Sequence, residues 1–343
     1  MEELFSCLPQ RLLPWYAQCH RELPWRRDRE PYHVWLSEIM LQQTRVEAVK
    51  GYYERFLHRL PTIKTLAEAP EDVLLKLWEG LGYYSRVRNL QKAAMQIVEK
   101  HKGVFPREYQ EILALPGIGP YTAGAISSIC FEQPTPAVDG NVLRVVMRLQ
   151  ACADPITEVS VQKEVARKLA AIYPKDNCGD FTQALMELGA TVCVPNGAPA
   201  CHCCPLAEIC RGHQEGNAQN FPVKGEKKPR RKEQRTVFVL RCGEKIAVCR
   251  RPAKGLLAGM WQLPDMPGEC TAQEALEQAA AWGLEPRGIE KQIHRSHIFT
   301  HVQWEMTGVF LICRKEATFF WAAPSDFEEK IGLPTAYRQF LQE

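Results

Sequence analysis

Residues 115–126 read LPGIGPYTAGAI, with Gly117 and Gly119 set between two apolar-periodic segments, Glu111 to Leu115 and Tyr121 to Ile129. That pattern predicts two helices joined by a tight turn. Glycines there permit left-handed backbone and close approach, so the N–H groups opening the second helix can point at a phosphate oxygen. An ordinary helix–helix turn would read the same from these two glycines alone. Outward from the hairpin, residues 1–222 read as almost entirely helical, with Val142, Val145, Val146 and Leu149 at the spacing of one buried face. The stretch 223–235, VKGEKKPRRKEQR, then carries seven Lys/Arg against two Glu. After it the texture changes to short β-branched runs at 236–240, 245–249 and 301–313, interrupted by one helix that Thr271 and Glu274 open as a capping box. The expected organisation is a multi-domain chain: an all-α helix-hairpin-helix domain over 1–222, a basic linker over 223–235, and an α+β domain over 236–343.

The composition of the 343 residues, 45% hydrophobic and 24% charged, suits two ordinary cores. No run approaches the length of a membrane span, and the opening MEELFSCLPQ lacks a basic-then-apolar leader. An intracellular protein without membrane association is therefore expected. The net charge of +3 resides in 223–235 and leaves the remainder slightly acidic, so attraction to phosphate must come from local patches. Fourteen cysteines suggest a disulfide scaffold only in a short secreted chain, and five of these fall between Cys193 and Cys210. The spacing Cys193-x7-Cys201-x2-Cys204-x5-Cys210 puts four thiolates within reach of one metal centre. A single Cys-x2-Cys favours an iron–sulfur cluster over the paired knuckles of zinc, with zinc as the alternative. Cys203 competes with Cys204 for one ligand position, and the other nine cysteines read as small core residues.

Two carboxylates stand out. Glu38, in VWLSEIML (34–41), has Val34, Trp35, Leu41 and Gln42 as helical neighbours, an apolar face that would raise its pKa and suit a general acid. An ion pair with a basic residue is the plainer alternative. Asp139, in AVDGNVLRVVMR (137–148) beside Asn141, precedes a helix, where backbone N–H groups would lower its pKa and keep it ionised beside a cation. Simple capping is the alternative there. One raised and one lowered carboxyl divide the labour of breaking a glycosidic bond through an oxocarbenium ion. In GLGYYSRVRNL (80–90), the glycine pair with Arg86 and Arg88 predicts an exposed loop from which Leu81, Tyr83 or Tyr84 can wedge into a base stack.

Together with LPWR (23–26), PYHVWLSEIMLQQTRV (31–46), PAVDGNVLRV (136–145) and GLLAGMWQLP (255–264), these stretches resemble the MutY-type adenine DNA glycosylases of the helix-hairpin-helix superfamily, relatives of endonuclease III. The likeness spans nearly the whole chain. It implies a glycosylase domain with an iron–sulfur subdomain at 193–210, holding one [4Fe-4S] cluster on Cys193, Cys201, Cys204 and Cys210, and a Nudix-like C-terminal domain. It further implies a monomer in the bacterial cytoplasm, acting at the nucleoid on duplex DNA. There it would flip adenine out of a pair with 8-oxoguanine, or with guanine, and hydrolyse its N-glycosidic bond to leave an abasic site.

By that resemblance Glu38 protonates the adenine ring and Asp139 stabilises the oxocarbenium ion or a covalent sugar intermediate. Tyr121 and Asn141 support the aspartate and the water. Gln43, Thr44, Leu81 and Tyr83 contact or wedge beside the oxidised guanine, and Gly117 and Gly119 approach the DNA backbone. Tyr121 stands where bifunctional relatives carry a lysine nucleophile, so a monofunctional enzyme is expected. Residues 268–284, GECTAQEALEQAAAWGL, lack the glutamate run of a Nudix hydrolase, which makes the C-terminal domain a reader. Its Phe299-Thr300-His301 takes the place of the family's Phe-Ser-His, keeping the hydroxyl and adding a methyl. The first cysteine interval, seven residues, is one longer than in better-known members.

Overall fold

Apolar periodicity becomes helix packing in the N-terminal part of the computed structural model, which describes residues 2–225 and 229–342. The chain forms two units, one joining Met1–Glu68 to Asn89–Lys227 and the other joining Ala69–Arg88 to Lys228–Glu343. In the first unit the Gly140–Gln150 helix buries Val142, Val145, Val146 and Leu149 as expected. They meet Leu8 and Leu12 of the Leu8–Cys19 helix and Phe181, Leu185 and Leu188 of the Cys178–Thr191 helix. Each such side chain contributes about 1.5–3 kcal/mol by leaving water. The hairpin is formed by the helices Tyr109–Leu113 and Pro120–Phe131. Gly117 is required at its turn: φ is +78°, and a Cβ there would lie 2.6 Å from that of Asn89. Gly119 caps the second helix at φ −100°, with open space around it.

In the second unit a seven-stranded sheet comprises β1 (Arg231–Cys242), β2 (Lys245–Arg250), β3 (Trp261–Gln262), β4 (Asp265–Pro267), β5 (Pro286–Ile298), β6 (Val302–Cys313) and β7 (Phe320–Ala322). Its order is β3-β2-β1-β6-β5, with β4 on β1 and β7 on β2. The β1–β6 ladder is parallel and the other pairs are antiparallel. Period-two alternation sends Val237, Val239, Trp304, Met306 and Phe310 to one core with Tyr337 and Phe340. Phe238, Leu240, Val309 and Leu311 face the opposite way, onto Ala275 and Ala279 of the Ala272–Ala281 helix. Thr271 caps that helix in the expected box with Glu274. Among the described residues no helix is long and apolar enough to cross a membrane.

Four expectations are corrected. Arg231–Arg235, read as linker, belong to β1, because the ladder with β6 already begins at Arg231↔Val302; residues 226–228 of that stretch lie outside the described residues. The strand β5 was not expected, since its polar sequence PRGIEKQIHRSHI carries no strong alternation. The segment Ala69–Arg88 groups with the C-terminal unit, where Lys76 donates to the Ile331 carbonyl and Glu79 accepts from the Leu333 N–H. Of the nine cysteines outside 193–210, only Cys178 and Cys313 are fully buried, and Cys19 is exposed.

Candidate active site

A cavity of about 550 Å³ in the first unit gathers Glu38, Tyr121, Asp139 and Asn141, with Gln43 and Thr44 on its wall. Glu38 comes from the Pro31–Leu41 helix, whose residues from Tyr32 to Met40 are buried apart from His33. Burial pushes the Glu38 carboxyl up to about 7; the Tyr121 hydrogen bond opposes the rise, and the Asp139 charge adds to it. Tyr121, one residue into the Pro120–Phe131 helix, donates its hydroxyl to Glu38. Burial and both carboxylates hold that phenol well above its ordinary range, so it remains a donor. Its hydroxyl bonds to Glu38 and Met186 Sδ, not to Asp139, the partner that the resemblance implied.

Asp139 is the N-cap of the Gly140–Gln150 helix, its Oδ1 accepting from the Val142 N–H at 2.8 Å. Its Oδ2 accepts from Asn141 Nδ2 at 2.6 Å. The expected lowering of its pKa is not what the structure gives. Burial raises it, and the bonds from Val142 and Asn141 only partly offset that. Sequence shows the cap but not the depth of the cavity. Asn141 is fixed in turn by Arg144, whose Nη2 donates to Asn141 Oδ1 at 2.7 Å and to the Gly189 carbonyl at 2.6 Å. Arg144 Nε donates to the Cys193 carbonyl at 2.7 Å.

A second carboxylate system on the cavity wall escaped the sequence reading. Glu187 accepts from Arg21 Nε at 2.7 Å and from Arg26 Nη2 at 2.8 Å. Burial works to raise its pKa, but the two arginines prevail and hold it at about 2. The arginines precede it by 166 and 161 residues, so no local pattern announces the cluster. A glutamate in the apolar stretch ALMELGA was the only available signal.

The remaining candidates lie elsewhere. In the second unit the loop before the Ser85–His101 helix turns at Gly80 and Gly82, both at positive φ, and leaves Tyr83 45% exposed. Leu81, expected as a wedge, is instead buried, and Arg86 is buried with it, donating to the Leu81 and Gly82 carbonyls. The turn from β5 to β6 closes with the Phe299 N–H on the Val302 carbonyl. Phe299 packs edge-on against Trp304, while Thr300 and His301 are exposed. In the same unit Thr300 Oγ1 donates to the Tyr83 hydroxyl at 3.3 Å.

The cysteine loop belongs to the first unit. Cys193, Cys204 and Cys210 pack against the helical core, and the thiols of Cys201, Cys204 and Cys210 all feel the charge of Cys193. Burial pushes Cys204 up to about 12, whereas Cys203 is exposed and bonded to the Ala200 carbonyl. No three His, Cys, Asp or Glu side chains among the described residues are gathered as a ready site for an ion. The donor set nevertheless suits an iron–sulfur group: four half-buried thiols, mutually repelling once ionised, with Arg148 against Cys193 and Cys210.

The chain matches known proteins along most of its length. Residues 36–171 match the family "HhH-GPD superfamily base excision DNA repair protein", and residues 236–343 match the NUDIX domain. Adenine DNA glycosylase of Rattus norvegicus is 36% identical over 86% of this chain and 68% of its own length. Its counterpart in Schizosaccharomyces pombe is 32% identical over 97% and 89%, and that of Buchnera aphidicola is 39% identical over 64% and 63%. Among solved structures, a thermostable thymine-DNA glycosylase superposes with TM-score 0.55 at 25% identity, covering 62% of this chain and 98% of that one. A trapped endonuclease III–DNA covalent intermediate gives 0.53 at 27% identity, covering 62% and 97%. The chain thus belongs to the MutY-type adenine DNA glycosylases, a family of base-excision repair enzymes.

Proposed function

We propose that this glycosylase acts as a monomer in the bacterial cytoplasm on duplex DNA, removing adenine paired with 8-oxoguanine or guanine and leaving an abasic site. The observation that carries the reading is the presence, in one cavity, of a carboxyl raised to about 7 and a second, capped carboxylate. Glu38 holds a proton at neutral pH and delivers it to the adenine ring, turning a poor leaving group into a neutral one. As Glu38 becomes anionic, the Tyr121 hydroxyl stabilises its charge. Asp139, oriented by Val142 and Asn141, faces the sugar as it acquires oxocarbenium character. The burial that raises its pKa also strengthens that attraction, because little water screens it. Asn141 in turn helps to place the attacking water.

The enzyme is monofunctional. Among the described residues lining the cavity there is no lysine, and Tyr121 cannot form a Schiff base. Gln43, Thr44 and the exposed Tyr83 contact the DNA around the oxidised guanine, and Leu81 supports that loop from beneath. Gly117 and Gly119 let the hairpin approach a phosphate. The C-terminal domain reads the lesion with Thr300 and His301 at the tip of a turn that Phe299 anchors. On this reading it is a reader and not a hydrolase, since residues 268–284 lack the run of glutamates that a Nudix hydrolase uses. Cys193, Cys201, Cys204 and Cys210 would hold one [4Fe-4S] cluster, which when bound supplies a structural cross-link and a redox centre.

The test is incubation with a duplex containing a single 8-oxoguanine:adenine pair, followed by alkali and sizing of the adenine strand. Cleavage should require the alkali. An uncut strand would refute the substrate, and efficient cleavage before alkali would refute the monofunctional mechanism.

A further inference from the structure

Arg148 is 3% exposed, and among the described residues no carboxylate lies within ion-pair distance of it. A buried guanidinium without an anion is expensive, so its surroundings must contain the missing charge. Its hydrogen bonds locate that charge. Nε donates to the Phe221 carbonyl at 2.9 Å, and Nη1 donates to the Val194 carbonyl at 2.8 Å and to Cys193 Sγ at 3.4 Å. The carbonyl of Arg148 accepts from Cys210 Sγ at 3.4 Å. Gly212, two residues beyond Cys210, abuts that carbonyl so closely that a Cβ would come within 2.7 Å of it. One residue of the Gly140–Gln150 helix thereby grips the first and last cysteines of the 193–210 loop.

We infer that Arg148 is the built-in counter-ion of the iron–sulfur group: its guanidinium neutralises the sulfur ligands from inside the core and sets the reduction potential of the centre. This rests on the cluster assignment made above. Carbonyl oxygens satisfy the guanidinium N–H groups without cancelling the charge, so that falls to the neighbouring cysteines as thiolates, Cys193 hydrogen-bonded to the guanidinium and Cys201 within its field. A cation donating a hydrogen bond to a ligand sulfur favours the more negatively charged, reduced state, and the potential moves in the positive direction. Arg148 is thus a positioning residue, remote from the base-removal chemistry.

The experiment uses the full chain, purified anaerobically and supplied with iron and sulfide, with three readouts: iron per chain, the rate at which a chelator bleaches the visible absorbance, and the reduction potential by electrochemistry. Relative to wild type, Arg148→Met should bleach roughly tenfold faster and its potential should move negative, while Arg148→Lys, which keeps the charge, should stay nearer the wild-type potential. A folded Arg148→Met with unchanged iron content, bleaching and potential would overturn the inference. Should Arg148→Met fail to fold, Arg148→Lys decides. Iron retained with a near wild-type potential supports the counter-ion role, and a folded, iron-free Arg148→Lys overturns it. Wild-type protein that takes up no iron would instead reject the cluster assignment and the inference with it.

Discussion

The hydroxyl of Tyr121 donates its hydrogen bond to Glu38 and leaves Asp139 to be held by Asn141 and the Val142 N–H. The two carboxyls therefore titrate under different partners, Glu38 near 7 and Asp139, through burial, above the ordinary aspartate value. Base removal needs the first protonated and the second ionised. The single-turnover rate should trace a bell, falling as pH rises through about 7 and falling again in acid as Asp139 takes up a proton. Tyr121→Phe, which removes the bond that lowers the Glu38 pKa, should move the alkaline limb to higher pH. An alkaline limb that stays in place in this variant would remove Glu38 from the role of acid.

Glu38→Gln should separate activity from stability. Removing a general acid lowers the rate by about 10²- to 10⁴-fold. A carboxyl raised on folding contributes stability that is complete below its unfolded pKa and is lost as pH rises through the folded value, here about 7. The glutamine variant escapes that loss, so it should be more stable than wild type by roughly 2–3 kcal/mol above pH 7, with most of the gain gone by pH 5. Urea denaturation at the two pH values measures it; a variant no more stable at pH 7.5 than wild type would contradict the burial argument.

Arg144 holds Asn141 and the Cys193 carbonyl at once, joining the aspartate to the cysteine loop through three hydrogen bonds. Arg144→Met should slow base removal by about tenfold or more, as loss of orientation does, while leaving affinity for DNA nearly intact. Single-turnover kinetics beside a binding titration with uncleavable duplex distinguish the two. Equal loss in both would point to general unfolding of the helix.

Glu187 titrates in the opposite sense to Glu38. Held at about 2 by Arg21 and Arg26, it contributes stability that is present above its unfolded value near 4.5 and lost as pH falls toward 2. Its replacement by Gln should destabilise the protein by about 3 kcal/mol at pH 7, with the deficit shrinking between pH 4.5 and 2. Thermal unfolding across that range is the measurement, and a deficit independent of pH would show that the arginines do not stabilise the ionised form.

The local elements of the site were legible because their signals are short-range. The apolar face around Glu38 and the cap position of Asp139 each follow from residues within one helical turn. Spacing to Cys201 already favoured Cys204 over Cys203, but their contrast in burial appears only in the packed loop. Leu81 was misplaced because the turn at Gly80 and Gly82 folds it inward, a direction no glycine pattern specifies. The same limit explains the raised pKa of Asp139 and the cluster around Glu187: both depend on what distant segments bring against them.

The strand missed in the sequence, β5, comes last in the strand order, and among the described residues no further strand pairs with its outer side. Its sequence exposes Arg287, Glu290, Lys291, Gln292 and His294 along thirteen residues. A regular apolar alternation would have made the strand easy to recognise, and it would equally have offered another chain a template for pairing. The polarity that conceals β5 as a strand is what lets the sheet stop growing there, so that a long edge strand does not become a seed for aggregation.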